Sequence, residues 1–304
     1  MGARPAHLMK AAGSALAIAS IVFIALMFWR ERETLSTFRP GAAGAAVLAA
    51  CALAYAALGY VLAEAWRSLL LWAGEAEARG SDTRRIYART QIAKYIPGNV
   101  AQFAGRQFIG RQAGWTHVGL LLSTVFELVS LVFVAASIAT LAIAAGARGL
   151  VDPRLLLAAA MLTLAGLVLL PRFGPRALLR RWPEAAQRVA GLRIRNLWPV
   201  AALHALFFAA AGVILVFVAQ VVTGDSVPYG QWPAVVGLYA IAWIVATLTP
   251  GAPSGIGVRE VVLVAGLAFM TSAGSAILVA TLLRAVTVAG DLLFFLVAGL
   301  RPAR

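Results

Sequence analysis

The sequence predicts an all-α polytopic membrane protein, a single domain over residues 1–304, and three features of the chain carry that prediction. Hydrophobic residues make up 62% of it and charged residues only 12%, whereas soluble domains carry about 25% charged residues. Apolar stretches close to the ~20 residues that a helix needs to cross a bilayer recur along the chain. No stretch alternates with the two-residue period of a strand, which argues against a β-barrel. The most polar run, 75–89, is the size of a loop, so no soluble domain is expected.

The first predicted span is 11–29. Arg4 and Lys10 precede it, as in a signal peptide, but the apolar run exceeds the roughly 7–15 residues of such a segment. Arg30-Glu31-Arg32-Glu33 follows it in place of a small-residue cleavage site, so it reads as a retained helix. Further spans are 44–72, 118–145, 155–170, 198–222, 235–249 and 274–300. Two apolar pieces, 86–111 and 256–269, are interrupted or short. The expected total is about seven to eight transmembrane helices plus one or two re-entrant or broken-helix hairpins. A matched pair of such breaks suggests an inverted repeat.

Orientation follows from the basic residues. The net charge is +14, and Lys10 and Lys94 are the only lysines. The arginines cluster between spans, the signature of positive-inside topology and attraction to anionic headgroups; nucleic acid is not an expected partner. Arg79, Arg84, Arg85 and Arg89 mark one loop, 172–195 holds seven arginines, and 223–231 has none. These alternate if both termini are cytoplasmic, in the inner membrane of a bacterial cell. A full crossing by 86–111 would put the next basic loop on the wrong side, so that piece is expected to be a re-entrant hairpin. For 235–269 a second hairpin and two tilted spans both fit. Glu64 and Arg67, near the end of their span, read as a pair snorkelling to the interface. Cys51 is the sole cysteine, and His7, His117 and His204 stand apart, so neither a metal site nor a cofactor is expected.

The two interruptions share a pattern. In KYIPGNVAQFAGRQF seven residues separate Pro97-Gly98 from Arg106, and in TLTPGAPSGIGVREV seven separate Pro250-Gly251 from Arg259. Proline removes a backbone donor and stops the helix, and the freed groups must be buried in protein or line a wet cavity. Gly255 and Gly257 extend the second hinge. A new helix is expected beyond each break, with Asn99 and Ser254 as N-caps and an N-terminus suited to an anion. Asn99, Gln102 and Arg106 share a face, and Arg259 is expected about one and a half turns into its own helix. An arginine at mid-membrane costs about 2.5–3.5 kcal/mol on the insertion scale, so carboxylate partners are required. Glu127, Glu260 and Asp291 are the candidates, and Arg284 lies i, i+7 from Asp291 on one helix face.

KYIPGNVAQFAGRQ, the downstream Glu127 and PGAPSGIGVRE together resemble the transmembrane domain of the lysylphosphatidylglycerol synthases, a family labelled flippase-like. The resemblance covers residues 10–300, and its second motif is the more specific. It implies a membrane protein that moves a phospholipid or polyprenyl-phosphate-linked lipid between leaflets. The soluble aminoacyl-transferase domain of those synthases has no counterpart here, so that activity is not expected. Ala252-Pro253-Ser254 stands where glycine is commoner in the family.

The expected function is therefore lipid transport rather than catalysis. Arg106 and Arg259 would bind the phosphate bidentately, assisted by Lys94, Arg111, Arg284, Asn99 and Gln102. Glu127, Glu260 and Asp291 would hold the cations between transport events, and one could carry a coupling proton. No Gly-x-x-x-x-Gly-Lys-Ser/Thr pattern supports direct ATP coupling. The alternative, an integral membrane transferase acting on a lipid-linked substrate, needs a paired-carboxylate or metal site that the polar loops do not display. Lipid-modifying and glycosyltransferase enzymes are the expected protein partners.

Overall fold

Every regular element among the described residues is helical. The computed structural model describes Trp29 and residues 38–95, 101–146, 197–249, 255 and 257–300. Eight α-helices follow in order: α1 Gly41–Trp72, α2 Gly80–Gln91, α3 Ala101–Gln112, α4 His117–Gly146, α5 Trp198–Thr223, α6 Trp232–Leu248, α7 Val258–Leu267 and α8 Ala273–Phe294. A 3₁₀ turn, Ile92–Tyr95, extends α2, and a π turn, Phe295–Gly299, closes α8.

Five of these helices are long and apolar enough to cross a membrane: Gly41–Trp72, His117–Ala142, Trp198–Thr223, Tyr229–Leu248 and Ala273–Gly299. They match the expected 44–72, 118–145, 198–222, 235–249 and 274–300 to within a few residues. The expected spans 11–29 (Trp29 apart) and 155–170, and the arginine-rich 172–195, lie outside the described residues. Helices α1 and α5 form the middle of the packing: α1 contacts α4, α5 and α8, and α5 also contacts α6 and α8. Lipid supplies no hydrophobic drive between helices, so close approach through small residues has to supply packing. At Gly212 a Cβ would meet the Cα of Val236 at 2.7 Å, and at Gly59 it would meet the Phe294 ring at 2.6 Å. Large apolar side chains such as Leu53, Leu141, Leu206 and Leu248 point outward, as a lipid-facing perimeter requires.

The other three helices are short. Helices α2 and α3 have 12 residues each and α7 has 10, which at 1.5 Å per residue gives about 15–18 Å, half of a ~30 Å hydrocarbon core. Helices α2 and α3 pack on one another, so closely that a Cβ at Gly105 would sit 3.1 Å from Thr90 Cγ2. This is the arrangement expected of a hairpin. The pair is anchored to the end of α8, where Arg89 Nε donates to the helix-terminal carbonyl of Gly299 at 2.7 Å.

For 235–269 the two open choices resolve into neither simple form. Helix α6 is long enough to span, whereas α7 is half that length and packs between α6 and α8. The start of α7 also corrects an expectation. Its N-cap is Gly257, not Ser254 (itself outside the described residues), because Gly255 and Gly257 adopt φ +65° and +87° and hold the chain out of the right-handed helix. Arg259 therefore lies in the first turn of α7 rather than one and a half turns in.

Candidate functional site

The hairpin and α7 bring buried charges together in two places. In the first, Arg106 of α3 is 2% exposed and donates from Nη1 to Glu127 Oε2 of α4. Glu127 Oε1 accepts from Tyr87 of α2, whose Oη stands 2.8 Å away. The guanidinium lies 4.0 Å from the centre of the Tyr87 ring and 5.2 Å from that of Trp66. Trp66 is fixed in turn by Nε1 donating to Ser123 Oγ at 3.1 Å. One cation faces one carboxylate, so this centre is neutral. The pair ties α2, α3 and α4 into one unit, and a buried ion pair of this kind tolerates the low dielectric because both charges are compensated.

The second centre gathers around α8. Asp291 accepts from Tyr95 Oη at 2.6 Å and pairs with Lys94 Nζ at 2.7 Å, fastening the turn before Pro97 to this helix. Two turns earlier, Arg284 approaches Glu260 of α7 at 3.7 Å and lies 5.4 Å from the Tyr95 ring centre. Glu260 Oε2 also accepts from the Gly257 N–H at 2.8 Å, the N3-to-N-cap half of a capping box. Arg259 stands beside it, 8% exposed, with its guanidinium 4.8 Å from the Tyr239 ring centre of α6. Its neighbour Glu260 lies within electrostatic reach of it, as do the phenols of Tyr55, Tyr95 and Tyr239, so both breaks reach one neighbourhood. Its Nε and Nη2 are buried without a hydrogen-bond partner, and among the described residues it forms no ion pair.

Glu260 places its negative charge near Arg259, as expected, but makes its direct contacts with the Gly257 N–H and Arg284. Adjacent residues on a helix point about 100° apart, so Glu260 turns to the N-cap and Arg284 while Arg259 faces Tyr239. Arg284 and Asp291 do share a face, as their spacing predicts. Arg111 corrects another expectation: it is exposed and donates to Trp115 O at 3.1 Å, closing the C-terminal end of α3 outside either centre. Gln102 lies on α3 one turn before Arg106 and is partly buried. Asn99, Pro97, Gly98, Pro250 and Gly251 lie outside the described residues.

Both centres lie near the middle of the long apolar helices. The midpoints of the relevant spans fall close to Tyr55, Glu127, Tyr239 and Arg284, each within roughly 5 Å of its span centre at 1.5 Å per residue. The tyrosines escaped sequence reasoning, although the chain has only 6 and four of them (Tyr55, Tyr87, Tyr95, Tyr239) line these two centres. The available signal was a phenol inside an apolar helix, which needs a polar partner when buried. Tyr95, directly after Lys94 and before the first break, was the plainest instance. No group of three or more His, Cys, Asp or Glu side chains among the described residues could hold a metal ion. No protein-family model and no curated protein matches the chain.

Proposed function

We propose that the chain is a lipid flippase that moves an anionic phospholipid or a polyprenyl-phosphate-linked lipid between leaflets, binding the phosphate at Arg259. One observation carries the reading: a buried guanidinium at mid-depth keeps two N–H donors without partners. Buried donors are almost always satisfied, and an unpaired cation in an apolar interior is costly. A phosphate oxygen pair is the natural complement of such a fork. Lys94 and Arg284, each already tied to a carboxylate in the same neighbourhood, supply further positive charge around the anion. Arg106, engaged by Glu127, holds the hairpin that carries Lys94 and Tyr95 to the site.

In this reading 11–29 and 155–170 complete a set of seven to eight transmembrane helices. The α2–α3 hairpin and the α6–α7 break would be related as an inverted repeat, in a bacterial inner membrane with both termini cytoplasmic. The acyl or prenyl chain stays in lipid while the headgroup passes between the breaks. Purified protein in vesicles carrying a fluorescent anionic phospholipid tests this, with leaflet exchange read by chemical quenching. Wild-type protein should exchange the lipid and Arg259→Gln should not, at equal thermal stability. Exchange by the variant at the wild-type rate would overturn the reading.

A further inference from the structure

The charge inventory of the second centre narrows the ligand. This step rests on the reading of Arg259 as an anion site. Three cations, Lys94, Arg259 and Arg284, face two carboxylates, Asp291 and Glu260. The tyrosines around them, Tyr55, Tyr95 and Tyr239, are neutral as phenols. The Arg106–Glu127 centre adds a neutral pair. Among the described residues, the centre thus holds one positive charge in excess, and that charge is Arg259.

We infer that the site is built for a singly charged lipid phosphodiester rather than for a phosphomonoester. At mid-depth an uncompensated charge of either sign is disfavoured. A phosphodiester brings one negative charge and makes the occupied site neutral. A terminal phosphate, with its second ionisation near pH 6, brings close to two at pH 8 and leaves a net negative charge behind. Arg259 offers Nε and Nη2, two donors of one planar fork, which match the two unesterified oxygens of a diester. The third oxygen of a monoester would need a donor beyond this fork, and Lys94 is already held by Asp291 at 2.7 Å.

Two lipids with identical tails isolate the charge: phosphatidylmethanol, a diester, and phosphatidic acid, a monoester, which differ by one methyl group. Binding to the full chain is measured at pH 8 in nanodiscs of neutral phosphatidylcholine by native mass spectrometry. The expected result is at least about tenfold tighter binding of phosphatidylmethanol, lost in Arg259→Gln. Asp291→Asn and, independently, Glu260→Gln raise the excess to two charges, and each should shift the preference toward phosphatidic acid. Two variants keep the test open should one fail to fold. Equal binding of the two lipids, or tighter binding of phosphatidic acid, with both dependent on Arg259, would overturn the diester assignment and leave the anion site standing. Binding of neither lipid that depends on Arg259 would sink the anion site itself. Soluble dimethyl phosphate carries the same anion without tails and should not displace the lipid at millimolar concentration; displacement would reassign the ligand to a soluble diester.

Discussion

Arg106 and Arg259 occupy the same place in two matched motifs, yet their surroundings differ. Arg106 is held between Glu127 and the faces of Tyr87 and Trp66. Arg259 rests on the Tyr239 ring and forms no ion pair among the described residues, with Nε and Nη2 unmet. An equal spacing from a helix break fixes where a cation enters the membrane but not what compensates it. Compensation depends on which carboxylate the neighbouring helix presents at that depth. Helix α4 presents Glu127 to Arg106, whereas α6 presents only the Tyr239 ring to Arg259. The first arginine thereby fastens helices together, and the second is the one we propose for a ligand.

The largest effect should come from breaking the fastening. Glu127→Ala leaves Arg106 buried and uncompensated, and should cost about 3–5 kcal/mol in reversible unfolding from mixed micelles. Pairing it with Arg106→Met should recover much of that loss, because no lone charge remains. A double variant as unstable as Glu127→Ala would show that the pair is not the source of the cost.

Arg259→Gln should do the reverse. Unfolding stability should stay level or rise, since an unpaired buried charge is removed, while lipid exchange falls by about 100-fold, or about 2.7 kcal/mol at the site. If stability fell as it does in Glu127→Ala, Arg259 would be a second fastening and the contrast would collapse. Tyr239→Leu removes the ring beneath Arg259 and should cost about 1–2 kcal/mol in unfolding, the range of a desolvated cation–π contact. Glu260→Ala should cost a comparable amount, about 1–2 kcal/mol, because it removes both the Gly257 N–H acceptor at the start of α7 and the carboxylate that faces Arg284. The partly exposed Glu64–Arg67 pair gives the baseline: Glu64→Ala should change stability by less than about 0.5 kcal/mol.

Much of the architecture was legible because its signals are local. An apolar run of sufficient length leaves helix as the only way to satisfy backbone groups in lipid, so the five described spans follow directly from composition. Proline and glycine mark the breaks for equally local reasons, and the lengths of α2, α3 and α7 agree with them. The starting point of α7 was less legible. Ser254 is a good N-cap by residue type, but the left-handed conformations of Gly255 and Gly257 move the start three residues on. Arg111 matched the expected composition of an anion site and instead closes the end of α3, facing outward.

By itself, the sequence determined the helical class of the described residues, the positions of the Pro-Gly motifs and most of the charges buried there, Glu75 excepted. Each of these depends on residue type and spacing along one segment. Only the tertiary structure decided the pairings: Glu127 with Arg106, Asp291 with Lys94 and Tyr95, and Glu260 with Arg284 rather than with its neighbour Arg259. Electrostatic compensation acts through space over a few ångströms, and which residues come that close is set by how helices far apart in sequence pack. At Arg259-Glu260 adjacency brought the charges near one another, but the helical turn sends the two side chains to different direct partners.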